Sequence, residues 1–236
     1  MKVGIITFHF VPNSGAMLQC WALQEKIKEL GHEDEVINYQ PRYHMEKYKA
    51  FKNPFAKSAG SIQSRIKIIY YNRNALIRSN RLKKYKKFER NLLLSEIING
   101  ENDWSKIHPE QYDAIICGSD QIWNIFITNG RFDRAYFADI PGFLGKKISY
   151  AASIGETDLD KNRKEIKSLL SDFSFIAMRE QVDKKKLNNI LDKEITVVPD
   201  PTLLLTKEQY DILKQDINVP DHYVLIYAFG KENILT

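Results

Sequence analysis

The stretch KVGIITFHFVPNSGAMLQCWALQEKIKELGHEDEVINY, residues 2 to 39, decides the fold. Its first part, residues 2 to 8, is a compact apolar run that predicts a β-strand. Apolar residues then recur at helical spacing from Ala16, and Gly31 marks the end of that helix. EVINY, residues 35 to 39, predicts a second strand. A strand, a helix and a strand within this length form a βαβ unit, whose strands are parallel and joined by a right-handed crossover.

The alternation of strands and helices resumes in the second half of the chain. Further strands are predicted at residues 112–117, 147–152, 173–180 and the start of 195–205, with helices near 159–173, 181–191 and 207–214. This alternation predicts an α/β fold with an open, mostly parallel, Rossmann-like sheet and helices on both faces.

Residues 42–100 interrupt the alternation and predict a basic helical excursion of one or two helices. From Arg42 to Arg90 there are 15 Lys and Arg but only two acids, although the whole chain has a net charge of only +5. Such a patch attracts nucleic acid, anionic lipid head groups or acidic glycans. A solvated helical face is the alternative that requires no partner.

The length of 236 residues is more than one average domain and less than two. We expect an N-terminal Rossmann-like domain at 1–214, a polar linker at 215–222, and the first strand of a second domain at 223–236. Because one strand cannot form a domain by itself, we expect the chain to be part of a longer two-domain protein.

Composition argues against several classes of protein. No apolar run approaches the ~18 residues of a membrane span, and His9 interrupts the N-terminal apolar run in a way that is atypical of a secretory signal. Cys20 and Cys117 are too few for a disulfide framework and are expected to be reduced, buried thiols. The five histidines show no metal-ligand spacing, so we expect no metal site. From the apolar-run and signal-sequence arguments we expect a cytoplasmic protein.

Three polar loops follow predicted strands, where ligands bind in open α/β sheets. In the first, Asn13, Ser14 and Gly15 stand at a helix start, whose free N–H groups suit a phosphate or carboxylate. A plain helix N-cap is the alternative. The chain contains neither the glycine-rich dinucleotide fingerprint nor a P-loop, so neither NAD nor ATP is predicted.

The second loop runs through Gly118, Ser119, Asp120 and Gln121 and is followed by Trp123 and Asn124. Glycine permits close approach of a ligand, Ser and Asp offer polar groups, and an indole face stacks on a sugar ring. A helix cap with a buried Trp123 is the alternative.

The third loop, residues 151–160, contains Ser153 after a strand. Asp158 and Asp160 have the D-x-D spacing that chelates a metal in some glycosyltransferases, but their place at a helix start favours capping. Arg179 beside Glu180 could present a guanidinium fork to an anion or form an internal ion pair.

The ordered set of FHFVPNSGAMLQCWAL, YDAIICGSDQIWN, ISYAASIG, Arg179-Glu180 and VVPDPTLLL resembles the bacterial polysaccharide pyruvyl transferase family over nearly the whole chain. The resemblance implies a two-domain fold like that of B-type glycosyltransferases. It also implies transfer of a pyruvyl group from phosphoenolpyruvate, with no further cofactor, to a sugar or lipid-linked oligosaccharide, commonly as a ketal, in capsule, exopolysaccharide or cell-wall glycan synthesis.

On this resemblance Asp120 is the candidate catalytic base. The predicted substrate-binding residues line a cleft facing the second domain: His9, Asn13, Gly15, Gly118, Ser119, Gln121, Trp123, Asn124, Ser153 and Arg179. Trp123 is either a sugar platform or a packed support.

Two other functions stay open. One is a nucleotide-sugar glycosyltransferase of the same architecture. The other is a non-catalytic module that docks on glycan or on the inner face of the membrane through the basic segment 42–90. Nucleic acid is not an expected partner, because the basic segment lacks any known nucleic-acid-reading motif.

Overall fold

The structure is a computed structural model that describes residues 1–215 and 218–225. It contains two compact units, Met1–Leu205 and Thr206–Thr236. The predicted linker at 215–222 and second domain remain predictions, and residues 226–230 of the strand predicted there lie outside the described residues.

The first unit is built on six parallel strands. They are β1 (Lys2–Ile6), β2 (Glu33–Val36), β3 (Ala114–Cys117), β4 (Lys146–Ala152), β5 (Phe173–Met178) and β6 (Ile195–Val197). The sheet order is β2-β1-β3-β4-β5-β6, and every neighbouring pair is parallel. The predicted open parallel sheet is therefore confirmed, and the βαβ unit at its start pairs Lys2 with Glu33 and Ile5 with Val36.

Seven α-helices accompany the strands in the described residues. They are α1 (Ser14–Glu29), α2 (Arg42–Tyr48), α3 (Ile62–Asn72), α4 (Ala75–Glu89), α5 (Arg163–Leu170), α6 (Gln181–Asn188) and, in the second unit, α7 (Lys207–Asp211). None of the described helices is both long enough and apolar enough to cross a bilayer. In α7 the side chains of Thr206 and Gln209 form a reciprocal capping box.

The strand order reverses direction between β1 and β3, because the chain adds β2 on one side of β1 and β3 to β6 on the other. In open α/β sheets, ligands bind in the crevice outside the carboxyl ends of the strands at this switch point. The loops that leave β1 and β3 carry two of the three predicted polar clusters. The topology therefore brings them to adjacent strand ends.

The excursion predicted as helical over 42–100 is helical only as far as Glu89. Its last part instead runs parallel to the edge strand β2, with bridges from Val36 to Leu94 and from Tyr39 to Ile98. The Val36 N–H donates to the Leu93 carbonyl, and the Ser95 N–H donates to the Val36 carbonyl. An unpaired edge strand exposes free backbone groups, and this segment covers them.

The core lies between the sheet and its helices and is rich in aromatic residues after β3. Trp123, Tyr136 and Phe137 are fully buried there, and the rings of Trp123 and Phe137 stack 5.1 Å apart. Cys20 and Cys117 are buried free thiols, as predicted, and burial raises the pKa of both. A buried neutral thiol is a poor nucleophile, so neither cysteine offers reactive chemistry.

Candidate active site at the carboxyl ends of the strands

Gly118 brings the end of β3 against the neighbouring strand β4. Its φ is +113°, and a Cβ at this position would lie 2.5 Å from the carbonyl oxygen of Tyr150. Both the backbone conformation and the space require glycine. The close approach positions the two residues that follow, Ser119 and Asp120, at the switch point.

The backbone of Ser119 is fixed by side chains from α1 and from the residue that follows β1. The Thr7 hydroxyl donates to the Ser119 carbonyl at 2.7 Å, and the Ser119 N–H donates to Gln19 Oε1 at 3.1 Å. Gln19 in turn donates through Nε2 to Thr7 Oγ1 at 3.0 Å. All three residues are buried, so these hydrogen bonds satisfy polar groups that water cannot reach.

We call four side chains the edge cluster: Ser119 and Arg179, which both contact Asp200, and Asp120, whose charge interacts with those of Arg179 and Asp200. Ser119 Oγ lies 3.0 Å from Asp200 Oδ2, and Arg179 Nη1 lies 3.3 Å from the same oxygen. Arg179 also donates through Nε to Glu180 Oε1 at 2.7 Å. One guanidinium thus faces several carboxylates, and the predicted internal ion pair with Glu180 is present.

Asp120 is the half-buried carboxylate of this cluster. Its backbone has φ +81°, and its Oδ1 accepts from the N–H of Gln121 at 2.7 Å. Burial raises the pKa of Asp120, and the charges of Asp200 and Glu180 add to the rise, while the Gln121 N–H and Arg179 oppose it. A carboxylate with a raised pKa is a better general base than a free one.

Tyr48, at the end of α2, lies within electrostatic range of this carboxylate. Burial raises the pKa of the Tyr48 hydroxyl, and the charge of Asp120 raises it further. The basic excursion therefore contributes to the surroundings of the edge cluster.

Asp200 is a candidate that sequence reasoning did not single out. It follows β6, and its Oδ1 accepts from the N–H and the hydroxyl of Thr202 at 3.0 and 2.8 Å, which caps a short 3-10 helix at Pro201–Leu203. An Asp before a Pro at the end of the last strand was the available signal, because Asp is a favoured N-cap and Pro a favoured first helical residue.

Trp123 corresponds to the packed-support alternative. The indole is fully buried, donates through Nε1 to the Tyr136 carbonyl at 2.9 Å, and stacks on Phe137. No face of the ring is open to a sugar.

Asn124 and Gln121 hold the same loop together. Asn124 donates through Nδ2 to Gln121 Oε1 at 2.8 Å, and both side chains pack where a Cβ on Gly155 would stand. Asn124 is buried and Gln121 half-buried. Of the two side chains, only that of Gln121 is accessible from solvent at the carboxyl edge of the sheet.

His9 is buried in a polar network behind the strand ends. Its Nδ1 lies 3.1 Å from the Thr7 carbonyl oxygen and its Nε2 lies 2.9 Å from Asn38 Oδ1. Burial lowers the pKa of the imidazole, although both contacts oppose this. Ser153 is likewise buried; its Oγ lies 3.4 Å from Asp183 Oδ2 and accepts from the Gly155 N–H at 3.2 Å. Both residues therefore support the loops in this structure.

Asn13 caps α1, as the plain alternative predicted. Its Oδ1 accepts from the N–H groups of Gly15 and Ala16 at 2.8 and 3.2 Å. The exposed helix start is also bordered by α4, since the Ser14 hydroxyl lies 3.4 Å from the Tyr85 hydroxyl.

Asp158 and Asp160 do not form a metal pair with a third ligand. Asp158 Oδ1 accepts from the N–H groups of Asp160 and Lys161, and α5 begins only at Arg163 because this turn precedes it. Within residues 1–215 and 218–225, no group of three or more His, Cys, Asp or Glu is arranged to hold a metal ion.

An apolar hollow of about 270 Å³ lies near the start of α1. Its walls include Phe10 from the loop after β1, Met17 from α1, Tyr48 from α2 and Tyr85 from α4. One of these residues, Tyr48, is close enough to Asp120 for that charge to raise the pKa of its hydroxyl.

Comparison with known proteins identifies the family. No curated protein and no solved structure matches the chain. The sequence model of the family described as polysaccharide pyruvyl transferase matches residues 13–234, nearly the whole chain. This range contains the entire edge cluster, and the chain belongs to the polysaccharide pyruvyl transferase family.

Proposed function

We propose that this protein transfers a pyruvyl group from phosphoenolpyruvate to a sugar of a bacterial capsule, exopolysaccharide or cell-wall glycan, and leaves it there as a ketal. The observation that carries the proposal is the edge cluster of a chain of this family, in which Asp120, a carboxylate of raised pKa, interacts electrostatically with Arg179, and Arg179 pairs with Asp200. The two-domain arrangement similar to B-type glycosyltransferases is part of the same proposal.

The reaction defines what the site must supply. A sugar hydroxyl forms a bond to the enol carbon that carries the phosphate, loses its proton, and the methylene carbon gains a proton to become a methyl group. A second hydroxyl of the same sugar then attacks that carbon, loses its proton, and phosphate leaves. The chemistry therefore needs a base for the hydroxyl protons, an acid for the methylene carbon, and cationic groups for the donor.

We assign the base to Asp120. Its carboxylate is half-buried at a strand end, where the hydrogen bond from Gln121 holds it in one orientation. Arg179 is the cation of the cluster, and its side chain is 28% exposed, so a donor carboxylate or phosphate could compete with Asp200 and Glu180 for it. The exposed start of α1 presents the positive end of the helix dipole to an anion, while the N–H groups of Gly15 and Ala16 donate to Asn13.

The acceptor sugar needs an aromatic wall, and Trp123 does not provide one. We assign this role to the hollow between α1, α2 and α4, which is lined by the half-buried side chains of Phe10, Tyr48 and Tyr85. We further propose a cytoplasmic location, and no cofactor beyond phosphoenolpyruvate as co-substrate.

The deciding experiment uses the protein as its natural gene encodes it. A panel of oligosaccharide acceptors is incubated separately with phosphoenolpyruvate and with nucleotide sugars, and the products are analysed by mass spectrometry and phosphate release. Pyruvylated product with stoichiometric phosphate supports the proposal. Glycosyl transfer from a nucleotide sugar would replace it with the glycosyltransferase function, and binding of acceptor without any turnover would favour the docking module.

A further inference from the structure

Helix α3 carries its apolar residues on the side that faces away from the protein. None of its eleven residues is buried, and Ile62, Ile66, Ile69 and Tyr70 recur at the spacing of one helical face. A surface helix of a globular protein normally turns such a stripe towards the core. Here the stripe is outward.

Polar contacts hold α3 in this orientation. Tyr71 donates its hydroxyl to the Lys49 carbonyl at 2.8 Å, and Asn72 exchanges two hydrogen bonds with the backbone of Lys52, at 2.8 and 3.0 Å. The guanidinium of Arg78 lies over the ring of Tyr71 and donates to the Ala50 carbonyl. The polar side of the helix is thus the attached side, while the apolar stripe stays exposed and the Arg73 guanidinium lies over the Tyr70 ring, 5.5 Å from its centroid.

The apolar surface continues along the chain into the first turn of α4. Two residues separate the helices, and Leu76 and Ile77 are again exposed. We call the six side chains together the apolar surface: Ile62, Ile66, Ile69, Tyr70, Leu76 and Ile77, which are 54 to 82% exposed. Six exposed apolar side chains within residues 62–77 are typical of an interaction site.

Charge identifies the partner. The 42 residues from Lys47 to Phe88 contain 13 Lys and Arg and not a single Asp or Glu. Two copies of such a surface repel each other, and nucleic acid offers no apolar volume for isoleucine and leucine side chains. An anionic bilayer offers both, because its head groups attract the cations and its acyl region accepts the apolar side chains.

We propose that α3 and the first turn of α4 dock this protein on an anionic lipid surface, with the apolar surface inserted at the level of the head groups. This inference extends the expectation of membrane contact through residues 42–90 by naming the side chains that insert. It does not depend on pyruvyl transfer.

Docking here would also bring the edge of the sheet close to the lipid. Further along α4, Arg81 donates to the Pro12 carbonyl at 3.4 Å, and Tyr85 reaches Ser14 at the start of α1. From Ile77 to Tyr85 the helix rises only about 12 Å. A glycan attached to a membrane lipid would therefore be presented within reach of the candidate site.

The test measures co-sedimentation of the full-length protein with vesicles, without donor or acceptor. We expect binding to vesicles of equal parts phosphatidylcholine and phosphatidylglycerol, little binding to phosphatidylcholine alone, and weaker binding as salt is raised. The double variant Ile66→Gln/Ile69→Gln removes apolar side chains but no charge. It should weaken vesicle binding about tenfold or more.

Removing charge instead, with the double variant Lys57→Gln/Lys67→Gln at two exposed lysines, should weaken binding to the anionic vesicles by about fivefold per charge. Matched controls alter exposed residues elsewhere: Leu30→Gln with Leu144→Gln, and Lys164→Gln with Lys185→Gln. Neither control should change binding, and unchanged circular dichroism verifies folding of all variants.

Three results would overturn the proposal. The first is absence of vesicle binding, and the second is binding that the Ile66 and Ile69 changes leave intact, which would mean attraction by charge alone. The third is a dimer in light scattering that these two changes dissociate, which would assign the apolar surface to a second copy of the chain.

Discussion

Ser119 and Asp200 lie 3.0 Å apart, Oγ to Oδ2, although 81 residues separate them in the chain and β4 and β5 stand between their strands in the sheet. Three inter-strand spacings amount to about 14 Å. The chain after β6 closes this gap because it turns back over the carboxyl edge, and its 3-10 helix at Pro201–Leu203 contacts α1. The last strand of the unit thereby contributes a carboxylate to the end of β3.

The charge of Asp200 should set the pH at which the base works. Asp200 raises the pKa of Asp120, so Asp200→Asn should lower that pKa, and the released Arg179 lowers it further. The acidic limb of the pH profile of kcat/KM should therefore move to lower pH. The exposed Asp160→Asn is the control and should leave the limb in place; an unmoved limb in Asp200→Asn would remove Asp200 from the site.

Asp120→Asn should separate activity from stability. Asparagine tolerates the positive φ of this position and its Oδ1 can still accept from Gln121, so the fold should persist. Loss of the base should reduce kcat by about 10² to 10⁴-fold. Turnover at the wild-type rate would exclude Asp120 as the base.

The same variant should be more stable than the wild type at neutral pH. Because the folded-state pKa of Asp120 is raised above 3.8, the folded protein binds the proton more tightly than the unfolded chain. Wild-type stability should thus fall as pH rises from about 3.8 through the raised pKa, whereas Asp120→Asn lacks this loss. Urea unfolding at several pH values measures the difference in free energy of unfolding between Asp120→Asn and the wild type. This difference should shrink towards acidic pH.

Trp123 changes should cost stability and not acceptor affinity. Trp123→Phe leaves the Tyr136 carbonyl without its donor and creates a small cavity, at a cost of about 1–3 kcal/mol, and Trp123→Ala should cost about 3–5 kcal/mol. The KM for the acceptor should stay constant in the folded Trp123→Phe protein. A raised KM at unchanged stability would contradict the buried placement.

Gly118 and Gly31 provide a matched pair, because both have positive φ but only Gly118 faces another backbone. Gly31→Ala has nothing within 4 Å of its Cβ and should cost only the backbone strain, about 1 kcal/mol. Gly118→Ala adds the clash with Tyr150 and should cost more while also lowering activity through Ser119 and Asp120. Chemical denaturation and turnover assays compare the two variants. Equal effects would mean that the backbone of β4 shifts enough to relieve the clash at Tyr150.

Several features of this protein could be predicted from residue order. The apolar runs at β1 and β3 and the helical spacing from Ala16 depend on neighbours within one element, and they were enough to predict a parallel α/β sheet. Gly118 and Asn13 were also visible as special positions, because glycine conformation and helix capping are local. The spacing of apolar residues in α3 likewise predicts an amphipathic helix, but it does not predict that the apolar side faces outward.

Contacts between distant elements decided the rest. From residue type alone, Trp123 and Asp158 each suited two roles. The neighbours that the fold brings beside them make Trp123 a packed support and Asp158 a turn cap. Asp200 joined the site only because the chain after β6 returns over the sheet edge. Local sequence determines φ, capping and periodicity, whereas burial, pKa and ion pairing depend on neighbours that only tertiary packing supplies.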